Sequence, residues 1–493
     1  ISNSLNVLYA KVGQCRNRMR VLTGINDFMF RWTLAPGEQF DAPEAVMCYA
    51  PDEDGISSEM HAFIGEHIVR GKWKKRERPV LVNNWEGTYF DFDEEKILSI
   101  ARAAKKTGVE LFVLDDGWFG NRCDDHRALG DWYDNVEKTG GGLKHLADKI
   151  REIGLDFGIW VEPEMINEDS DLSRTHPNFA MRVPGREPTR MRWQLCLNLA
   201  DEKVQNYVVR VISDVIARSG ASYVKWDYNR ALTDPFGKGI PQGEYFHRYI
   251  LGYYSIVSRI TKKFPFVLFE GCAGGGGRFD LGNLCFFQQY WTSDDTDARE
   301  RLKIQDGTSY GYPQTTMGAH VSACPNHQTG DSNPLETRFN IPCGGVLGYE
   351  LDMTKLSDEE MDVVSRQIEF YKEYRKVLQF GDFYRLGNAF GENVAGFMSV
   401  SKDKSTAIAV VTVYDYIIAG PALTVKFRGL NPSAVYEVTT REQANYKNVL
   451  SFTAGGDLLM QGNISLRDIY EDTQSWTNSK RLYARMFIFK KVK

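Results

Sequence analysis

The segment YVKWDYNR, residues 223–230, alternates polar side chains with large apolar ones. Lys225, Asp227 and Asn229 stand two positions apart, so they share one face if the segment is a β-strand. A lysine and an aspartate are costly to bury unless they are paired or used in chemistry. A neighbouring ammonium lowers the pKa of a carboxyl group and keeps the carboxylate available as a nucleophile. The pattern therefore predicts a reactive Asp227 beside Lys225, and the alternative is a structural Lys–Asp pair that lines the core.

Acidic residues also stand at the ends of other short apolar runs. One acidic residue at such a position commonly caps the following helix. Here carboxylates follow five runs and are interleaved with tryptophans, which helix capping alone does not explain. The acidic residues are Asp115, Asp116, Glu162, Glu164, Asp227, Glu270, Asp294 and Asp295, and the tryptophans are Trp118, Trp160, Trp226 and Trp291.

Carboxylates and indole rings together suit a sugar. Carboxylates accept hydrogen bonds from hydroxyl groups and stabilise an oxocarbenium-like transition state, while indole faces cover the apolar side of a sugar ring. An acid is needed across the sugar from Asp227, and the cluster WTSDDTD supplies candidates. The competing interpretation is a divalent-metal site, but the chain has only eight histidines and none at metal-binding spacing beside these carboxylates. We therefore predict neither a metal nor a cofactor.

Eight short apolar runs alternate with helical stretches such as EEKILSIARAAKKTG and GLKHLADKIREIG between residues 76 and 380. This alternation predicts a (β/α)8 barrel, an α/β fold, rather than an open sheet. Barrel enzymes carry their chemistry at the carboxyl ends of the strands, which is where the acidic residues stand. The predicted strands are PVLVNNW, ELFVLDDGW, DFGIWVEPEM, SYVKWDYNR, FVLFEGC, QQYWTSDD, QTTMGAHVS and GGVLGYELD.

Two regions of different character flank the predicted barrel. Residues 1–75 contain two predicted strands, FMFRWTL and EAVMCYA, and a predicted helix, EMHAFIGEHIVRG, which is too little for an independent domain. We interpret them as the remnant of an N-terminal β-domain with a linking helix. Residues 381–493 contain the runs VAGFMSVS, TAIAVVTVY, LTVKFRG, AVYEVTT and RMFIFKKVK between Gly, Pro and Asp turns. This second pattern predicts an antiparallel β-sandwich domain.

Composition argues against several kinds of partner. With 60 Lys and Arg against 65 Asp and Glu, the formal charge is −5, so we expect binding to neither nucleic acid nor an anionic membrane. The longest apolar stretch, TAIAVVTVYDYIIAG, contains Asp415 and ends before Pro421, so it predicts strands rather than a membrane span. Eight scattered cysteines without a CxxC pair favour a reducing, cytoplasmic location. The chain begins at Ile1 without Met, so we expect that N-terminal residues are missing, which leaves secretion open.

A series of ordered motifs runs from about residue 25 to the C-terminus. The motifs are VLVNNWEGTYFDF, DDGWFG, WVEPEM, KWDYNR, GGGGRFD, WTSDDTD, GAHVSACPNHQTG and GYELD. Together they resemble the bacterial α-galactosidases of glycoside hydrolase family 36. The resemblance implies an N-terminal β-supersandwich, mostly absent from this chain, followed by a (β/α)8 barrel and a C-terminal β-domain. It also implies a retaining enzyme without a metal that acts on carbohydrates with a terminal α-galactosyl residue, and it allows a homo-oligomer.

The resemblance also assigns roles to residues by motif. It places the nucleophile at Asp227 and the acid/base at Asp294 of an enzyme that hydrolyses terminal α-D-galactosyl residues by double displacement. Asp115 and Asp116 are expected to bind the 4- and 6-hydroxyls and to read the axial galacto configuration. The full set of expected sugar-binding positions is Trp85, Asp115, Asp116, Trp160, Arg192, Lys225, Asn229, Cys272 and Gly275.

The chain departs from the family in residues near the sugar's 2-position. The family usually has ESCSGGGGR, whereas this chain has EGCAGGGGR, with Gly271 and Ala273 in place of serines. Asp306 in KIQDGTS replaces a usual Tyr. Our hypothesis is a pocket that tolerates a 2-amino or 2-acetamido group, as in an α-galactosaminidase or α-N-acetylgalactosaminidase. The alternatives are that Asp306 caps the following helix while the small residues repack, and that the chain is an inactive carbohydrate-binding protein.

Overall fold

The computed structural model describes residues 11–15, 18–414, 423–443, 449–466 and 482–493. The predicted apolar stretch TAIAVVTVYDYIIAG extends beyond them, because positions 415–420 lie outside the described residues. Within those ranges, no helix is both long enough and apolar enough to cross a membrane.

The described residues of the N-terminal region, 11–15 and 18–75, have little regular structure. A hairpin of two antiparallel strands comes first, and the predicted helix in EMHAFIGEHIVRG follows later with a π-helical last part. The side chain of Asp52 caps this helix by accepting a hydrogen bond from the amide of Gly55. The elements are β1 (Lys11–Cys15), β2 (Arg18–Leu22), α1 (Glu53–Phe63) and the π-helix Ile64–Ile68.

The predicted strands FMFRWTL and EAVMCYA are wrong, because residues 28–34 and 44–50 form no strand. The aromatic side chains of the first segment pack elsewhere. Phe30 and Trp32 contact the ring of His247, at 6.2 and 5.1 Å between ring centroids. An apolar run with aromatic side chains therefore anchors a surface segment here instead of joining a sheet.

Eight parallel strands close into a barrel, so the predicted (β/α)8 fold is confirmed. Each strand falls inside its predicted run, and the strands are apolar because helices cover them outside while side chains fill the interior. A short antiparallel pair is inserted after the third barrel strand. The barrel strands are β3 (Leu81–Asn83), β4 (Leu111–Leu114), β5 (Asp156–Val161), β8 (Tyr223–Trp226), β9 (Leu268–Gly271), β10 (Gln289–Trp291), β11 (Met317–Ser322) and β12 (Val346–Glu350), and the inserted pair is β6 (Met165–Asn167) with β7 (Gln194–Cys196).

Helices join the barrel strands and cover them from outside. The helix in EEKILSIARAAKKTG begins after Asp93, whose side chain accepts a hydrogen bond from the amide of Lys96, and it buries Ile97 and Ile100 on one face. The helix in GLKHLADKIREIG ends at Gly154, whose φ of +93° suits glycine. These helices are α2 (Trp85–Thr88), α3 (Glu94–Lys106), α4 (Leu143–Ile153), α5 (Asp171–Thr175), α6 (Glu202–Ser219), α7 (Tyr245–Lys263), α8 (Leu281–Leu284), α9 (Ala298–Ser309), α10 (Leu335–Asn340) and α11 (Asp358–Phe380).

The C-terminal region forms antiparallel sheets, as predicted. Its elements are β13 (Asp382–Arg385), β14 (Val394–Val400), β15 (Thr406–Val413), β16 (Thr424–Val425), β17 (Val435–Thr440), β18 (Ser451–Gly455), α12 (Gly456–Gln461), β19 (Ile464–Ser465) and β20 (Tyr483–Lys491). One sheet has the order β13-β14-β15-β20-β17-β18, and β16 pairs with β19. One face of the large sheet packs on the barrel helices and the other on the small pair, so β15 is buried on both faces and almost wholly apolar.

Candidate active site

The carboxyl ends of the barrel strands surround a pocket of about 280 Å³. It is rich in carboxylates and indoles, as the residues at the strand ends predict. Every predicted site residue except Cys272 and Gly275 lines it. The lining residues are Trp85, Glu86, Asp115, Asp116, Trp160, Arg192, Lys225, Asp227, Asn229, Trp291, Asp294, His327, Gln328 and Glu350.

Three neutral donors hold Asp227, the predicted nucleophile, which is buried. The indole of Trp160 donates to Oδ2 at 3.0 Å, and Nδ2 of Asn229 donates to the same oxygen at 2.7 Å. The backbone amide of Tyr228 donates to Oδ1 at 2.8 Å. Strand β8 stops at Trp226, so Asp227 and its neighbours lie on the turn after the strand, where both carboxylate oxygens have a fixed direction.

The predicted pairing of Lys225 with Asp227 is corrected by the structure. The ammonium of Lys225 lies 3.0 Å from Oδ2 of Asp115, and Nδ2 of Asn83 donates to the same oxygen at 2.7 Å. A lysine side chain inside a barrel can reach a residue on another strand. The alternation of polar and apolar residues along its own strand does not reveal that partner. Burial raises the pKa of the Asp115 carboxyl, and the charge of Lys225 opposes that rise.

Asp116 has a separate partner, the buried guanidinium of Arg122. The Nε atom lies 3.0 Å from Oδ1, and Nη2 lies 2.7 Å from Oδ2. The sequence patterns do not single out Arg122, although it ends the segment DDGWFGNR that the acidic pair begins. Because charge-assisted bonds fix both aspartates, each can present its remaining lone pairs to a ligand in a set direction.

Asp294, the predicted acid/base, lies on the loop after β10. The indole of Trp291 donates to its Oδ1 at 3.0 Å. Desolvation inside the pocket raises the pKa of Asp294 to about 6, and the negative charge of Asp227 adds to the rise. A carboxyl with this pKa is suited to donate a proton in one step and to accept one in the next.

A second carboxyl beside the predicted nucleophile also has a raised pKa. Burial and the charge of Asp227 raise the pKa of Glu162 to about 8. Glu162 accepts a hydrogen bond from the backbone amide of Asn229 at 2.7 Å and another from Nε2 of Gln194 at 3.2 Å. It therefore holds the turn that carries Asn229. The residues at the strand ends include Glu162 but do not reveal this role.

Some lining residues are not singled out by the sequence patterns. Glu350 closes the last barrel run, so a complete application of the strand-end rule would find it. Glu86 lies in α2 and His327 on the loop after β11, with Oε2 and Nδ1 at 3.6 Å, and no spacing along the chain relates them. The hydroxyl of Thr296 donates to Oε1 of Glu86 at 2.7 Å, which ties this pair to the loop of Asp294.

Cys272 and Gly275 do not line the pocket. Burial, together with the charges of Asp227 and Asp294, raises the pKa of the Cys272 thiol. Gly275 has φ of +83°, and a Cβ on it would lie 2.6 Å from Cα of Ser293. Glycine therefore lets this turn approach the loop that carries Asp294. Direct contact of these two residues with a sugar stays a prediction.

The hypothesis about the 2-position rests on Gly271, Ala273 and Asp306, and none of the three lines the pocket, so it stays a prediction with less support. A Cβ on Gly271 would lie 2.1 Å from Cε2 of Tyr290, whose ring already fills that space, so the glycine does not open the pocket. Asp306 does not line the pocket and lies in α9, beside a small cavity that Phe383 of the C-terminal sheet also lines. The alternative that Asp306 caps a helix is wrong as well, because it lies within α9, which Asp297 caps.

Metal binding is the competing interpretation of the carboxylates. In the part of the chain that the structure describes, no three His, Cys, Asp or Glu side chains form a group that could hold a metal ion. Several carboxylates have cationic or imidazole partners instead. These pairs are Asp115 with Lys225, Asp116 with Arg122, and Glu350 with His320. A metal-free site stays a prediction.

Two family models match the chain. The melibiase model matches residues 39–381, and the glycosyl hydrolase family 36 C-terminal domain model matches residues 394–478. Alpha-galactosidase AgaA of Geobacillus stearothermophilus is 46% identical over 454 residues, which cover 91% of this chain and 60% of that protein. Alpha-galactosidase Mel36A of Lactobacillus acidophilus is 47% identical over 426 residues, which cover 85% of this chain and 58% of that protein. The chain spans about three-fifths of the length of these curated relatives.

Solved structures show the same relationship. The crystal structure of AgaA has a TM-score of 0.92 at 44% identity, with 98% of this chain and 65% of that chain covered. A variant of AgaA in complex with raffinose has a TM-score of 0.92 at 43% identity, with 99% and 67% covered. The melibiase model extends over the whole barrel, and the shared fold extends over nearly the whole chain. This chain belongs to the melibiase family, glycoside hydrolase family 36.

Proposed function

We propose that this chain carries the catalytic barrel of a retaining exo-α-galactosidase, which hydrolyses terminal α-D-galactosyl residues of carbohydrates. The observation that supports it most is that two carboxyl groups with different surroundings share one pocket. Asp227 accepts hydrogen bonds on both oxygens, whereas Asp294 lines the pocket with a pKa that desolvation raises to about 6. Double displacement requires such a pair, one carboxylate as nucleophile and one carboxylic acid as proton donor.

The first step forms a covalent intermediate. The carboxylate of Asp227 attacks the anomeric carbon while Asp294 gives its proton to the leaving oxygen, so the glycosidic bond breaks and a galactosyl ester forms. In the second step Asp294, now ionised, removes a proton from a water molecule that attacks the same carbon. The ester bond breaks, galactose leaves, and both carboxyl groups return to their starting states.

Galactose recognition is proposed for the residues around this pair. Asp115 and Asp116 are held by Lys225 and Arg122, so they can accept the 4- and 6-hydroxyls in a set direction. A sugar with an equatorial 4-hydroxyl would leave a buried acceptor without its donor, and sites of this kind discriminate strongly. The other proposed contacts are Trp85, Trp160, Arg192, Asn229, Cys272 and Gly275.

The relatives support a carbohydrate substrate. Crystal structures of AgaA variants hold raffinose and stachyose, and the curated relatives are named alpha-galactosidases. We extend this substrate class to the present chain as a proposal, since the chain spans only part of those proteins. An inactive carbohydrate-binding protein is the alternative, and the presence of both Asp227 and Asp294 argues against it.

The test is a panel of aryl α-glycosides that differ at C2 and C4. We expect hydrolysis of the α-galactoside and not of the α-glucoside. Asp227→Gly should abolish turnover, and added azide should restore part of it and give the β-galactosyl azide, because the small anion attacks from the side of the missing carboxylate. An α-azide product would show that Asp227 is not the nucleophile. Asp91→Gly, which removes an exposed carboxylate, is the matched control.

A further inference from the structure

A two-residue turn beside the pocket has an unusual backbone. The amide of Gln194 donates to the carbonyl oxygen of Met191 at 2.9 Å, and these two residues form an antiparallel bridge. Arg192 and Trp193, between them, have φ of +49° and +60°. Positive φ at both central positions is the type I′ arrangement, which strongly prefers Asn-Gly or Gly-Gly.

Residues with side chains are strained in this left-handed backbone, and such strain persists only where the surroundings fix it. Here Nδ2 of the buried Asn167 donates to the carbonyl oxygen of Trp193 at 2.8 Å. The guanidinium of Arg230 donates to the carbonyl oxygen of Gln194. The turn is therefore held by polar groups on both sides. Backbone strain of this kind concentrates at ligand sites.

The turn directs one side chain into the pocket and the next one away from it. Arg192 lines the pocket with Asp227, and its Nη2 lies 3.2 Å from Oδ1 of Asp125. Trp193 does not line the pocket and is 57% exposed. Its ring stacks on the ring of His126, with 4.4 Å between centroids and 23° between planes. His126 covers one face of the indole, so the exposed area belongs to the rest of the ring.

A single exposed tryptophan is an ordinary surface feature. This one follows a residue of the pocket wall, on a turn that glycine would form more easily. The backbone strain therefore places an indole beside the mouth of the pocket. Three other indoles, those of Trp85, Trp160 and Trp291, already line the pocket itself. In an exo-acting enzyme the pocket encloses the terminal sugar, so an indole outside it meets the leaving group.

We propose that Trp193 is a stacking platform for the leaving-group sugar of α-galactosyl oligosaccharides. The C–H face of a hexose ring packs on the exposed face of the indole, while His126 supports the other face. This inference rests on the proposed function. It identifies the residues that favour oligosaccharides over galactosides with a small leaving group. Trp193 contacts the leaving group and takes no part in proton transfer.

The test compares raffinose, whose leaving group is a sugar, with α-galactosyl fluoride, whose leaving group is a fluoride ion. Trp193→Gly removes the indole and lets the backbone keep its positive φ without strain. We expect kcat/KM for raffinose to fall by about fivefold to tenfold, as the loss of one stacking contact implies, and kcat/KM for the fluoride to stay within about twofold. We also expect the Tm not to fall, because an exposed and strained residue is replaced.

Two further variants complete the design. Trp193→Phe keeps an aromatic face and should retain most of the raffinose activity. Phe266→Ala removes an aromatic side chain that is 71% exposed, just before β9 at the amino end of the barrel, and should change neither substrate. Three results for Trp193→Gly would each overturn the platform: an equal loss of kcat/KM on both substrates, an unchanged kcat/KM for raffinose, or a lowered Tm. If the wild-type protein hydrolyses neither substrate, the proposed function is overturned as well. If it hydrolyses the fluoride, the proposed function stands, and the ratio of kcat/KM between the two substrates decides about the platform alone.

Discussion

Asp294 and Asp306 are two aspartates whose pKa values are both raised to about 6, and desolvation is the main cause in each case. Asp294 faces the pocket and has the carboxylate of Asp227 as a charged neighbour. Asp306 faces a small cavity between the barrel and the C-terminal sheet, beside Phe383 and Phe397. In the described part of the chain, its Oδ2 has no hydrogen-bond partner. A raised pKa therefore reflects desolvation, whereas the function of the carboxyl depends on which other groups line the same cavity.

The largest difference between the two aspartates should appear in activity. Asp294→Ala should lower kcat/KM for raffinose by about two to four orders of magnitude, which is the usual contribution of a general acid. The same variant should lose far less on α-galactosyl fluoride, whose leaving group needs no proton. Asp306→Asn, the control, should leave both rates unchanged. A comparable loss in Asp306→Asn would remove the contrast between the two residues.

A second difference should appear in the pH dependence. Asp294 must be protonated to act as an acid, and its pKa is raised to about 6. We therefore expect kcat/KM for raffinose to fall by about tenfold per pH unit above that pKa, because the protonated fraction falls at this rate. The fluoride should show no such fall in its glycosylation step. Parallel pH profiles for the two substrates would contradict the role of Asp294.

A third and smaller difference concerns stability. The pKa of Asp306 is higher in the folded protein than its ordinary value of 3.8, so ionisation of this group destabilises the fold as the pH rises through about 6. Asp306→Asn should raise the free energy of unfolding at higher pH by about 1–2 kcal/mol, a value reduced for partial solvent access. At acidic pH, where both states are protonated, the gain should vanish. Denaturant unfolding of both proteins at acidic and at higher pH measures this gain. The charge of Arg385 opposes the rise of the Asp306 pKa. If the variant is less stable than the wild type at high pH, Arg385 stabilises the ionised carboxyl.

The smallest effect is expected from a change outside the pocket, Gly271→Ser. The new side chain would meet the ring of Tyr290, so the Tm should fall. The ratio of kcat/KM between an aryl α-galactoside and the corresponding α-galactosaminide should not change, because residue 271 does not face the sugar. If the ratio does change, the hypothesis about the 2-position regains its support, and the position of Gly271 relative to the sugar must be revised.

The barrel could be predicted because each strand is a short apolar run bounded by turn residues, and this pattern is visible along the chain. The same strand ends identify Asp115, Asp227 and Asp294. Partners across the barrel could not be predicted, since Lys225 bonds a residue two strands away. Loop residues such as His327 follow no spacing at all. Contacts between strands and loops depend on tertiary structure, which local patterns do not encode.

Two further features show where local patterns fail. FMFRWTL has the composition of a strand, but it pairs with no strand among the described residues, and its rings pack on His247 instead. Turn rules search for Gly and Asn, so they do not find the turn at Arg192 and Trp193. Both failures occur where tertiary contacts override a local preference, and the second occurs beside the proposed site.

Strand β20 lies between β15 and β17, although it follows both along the chain. During synthesis on the ribosome, the sheet must therefore stay in two halves until residues 483–491 emerge and join them. Until then β15, an apolar strand, has an open edge that can pair with another nascent chain. A frameshift or a protease cut that removes β20 would separate β13–β15 from β17–β18 rather than trim the sheet at its border. The nascent protein is thus prone to aggregation until this strand has emerged and paired.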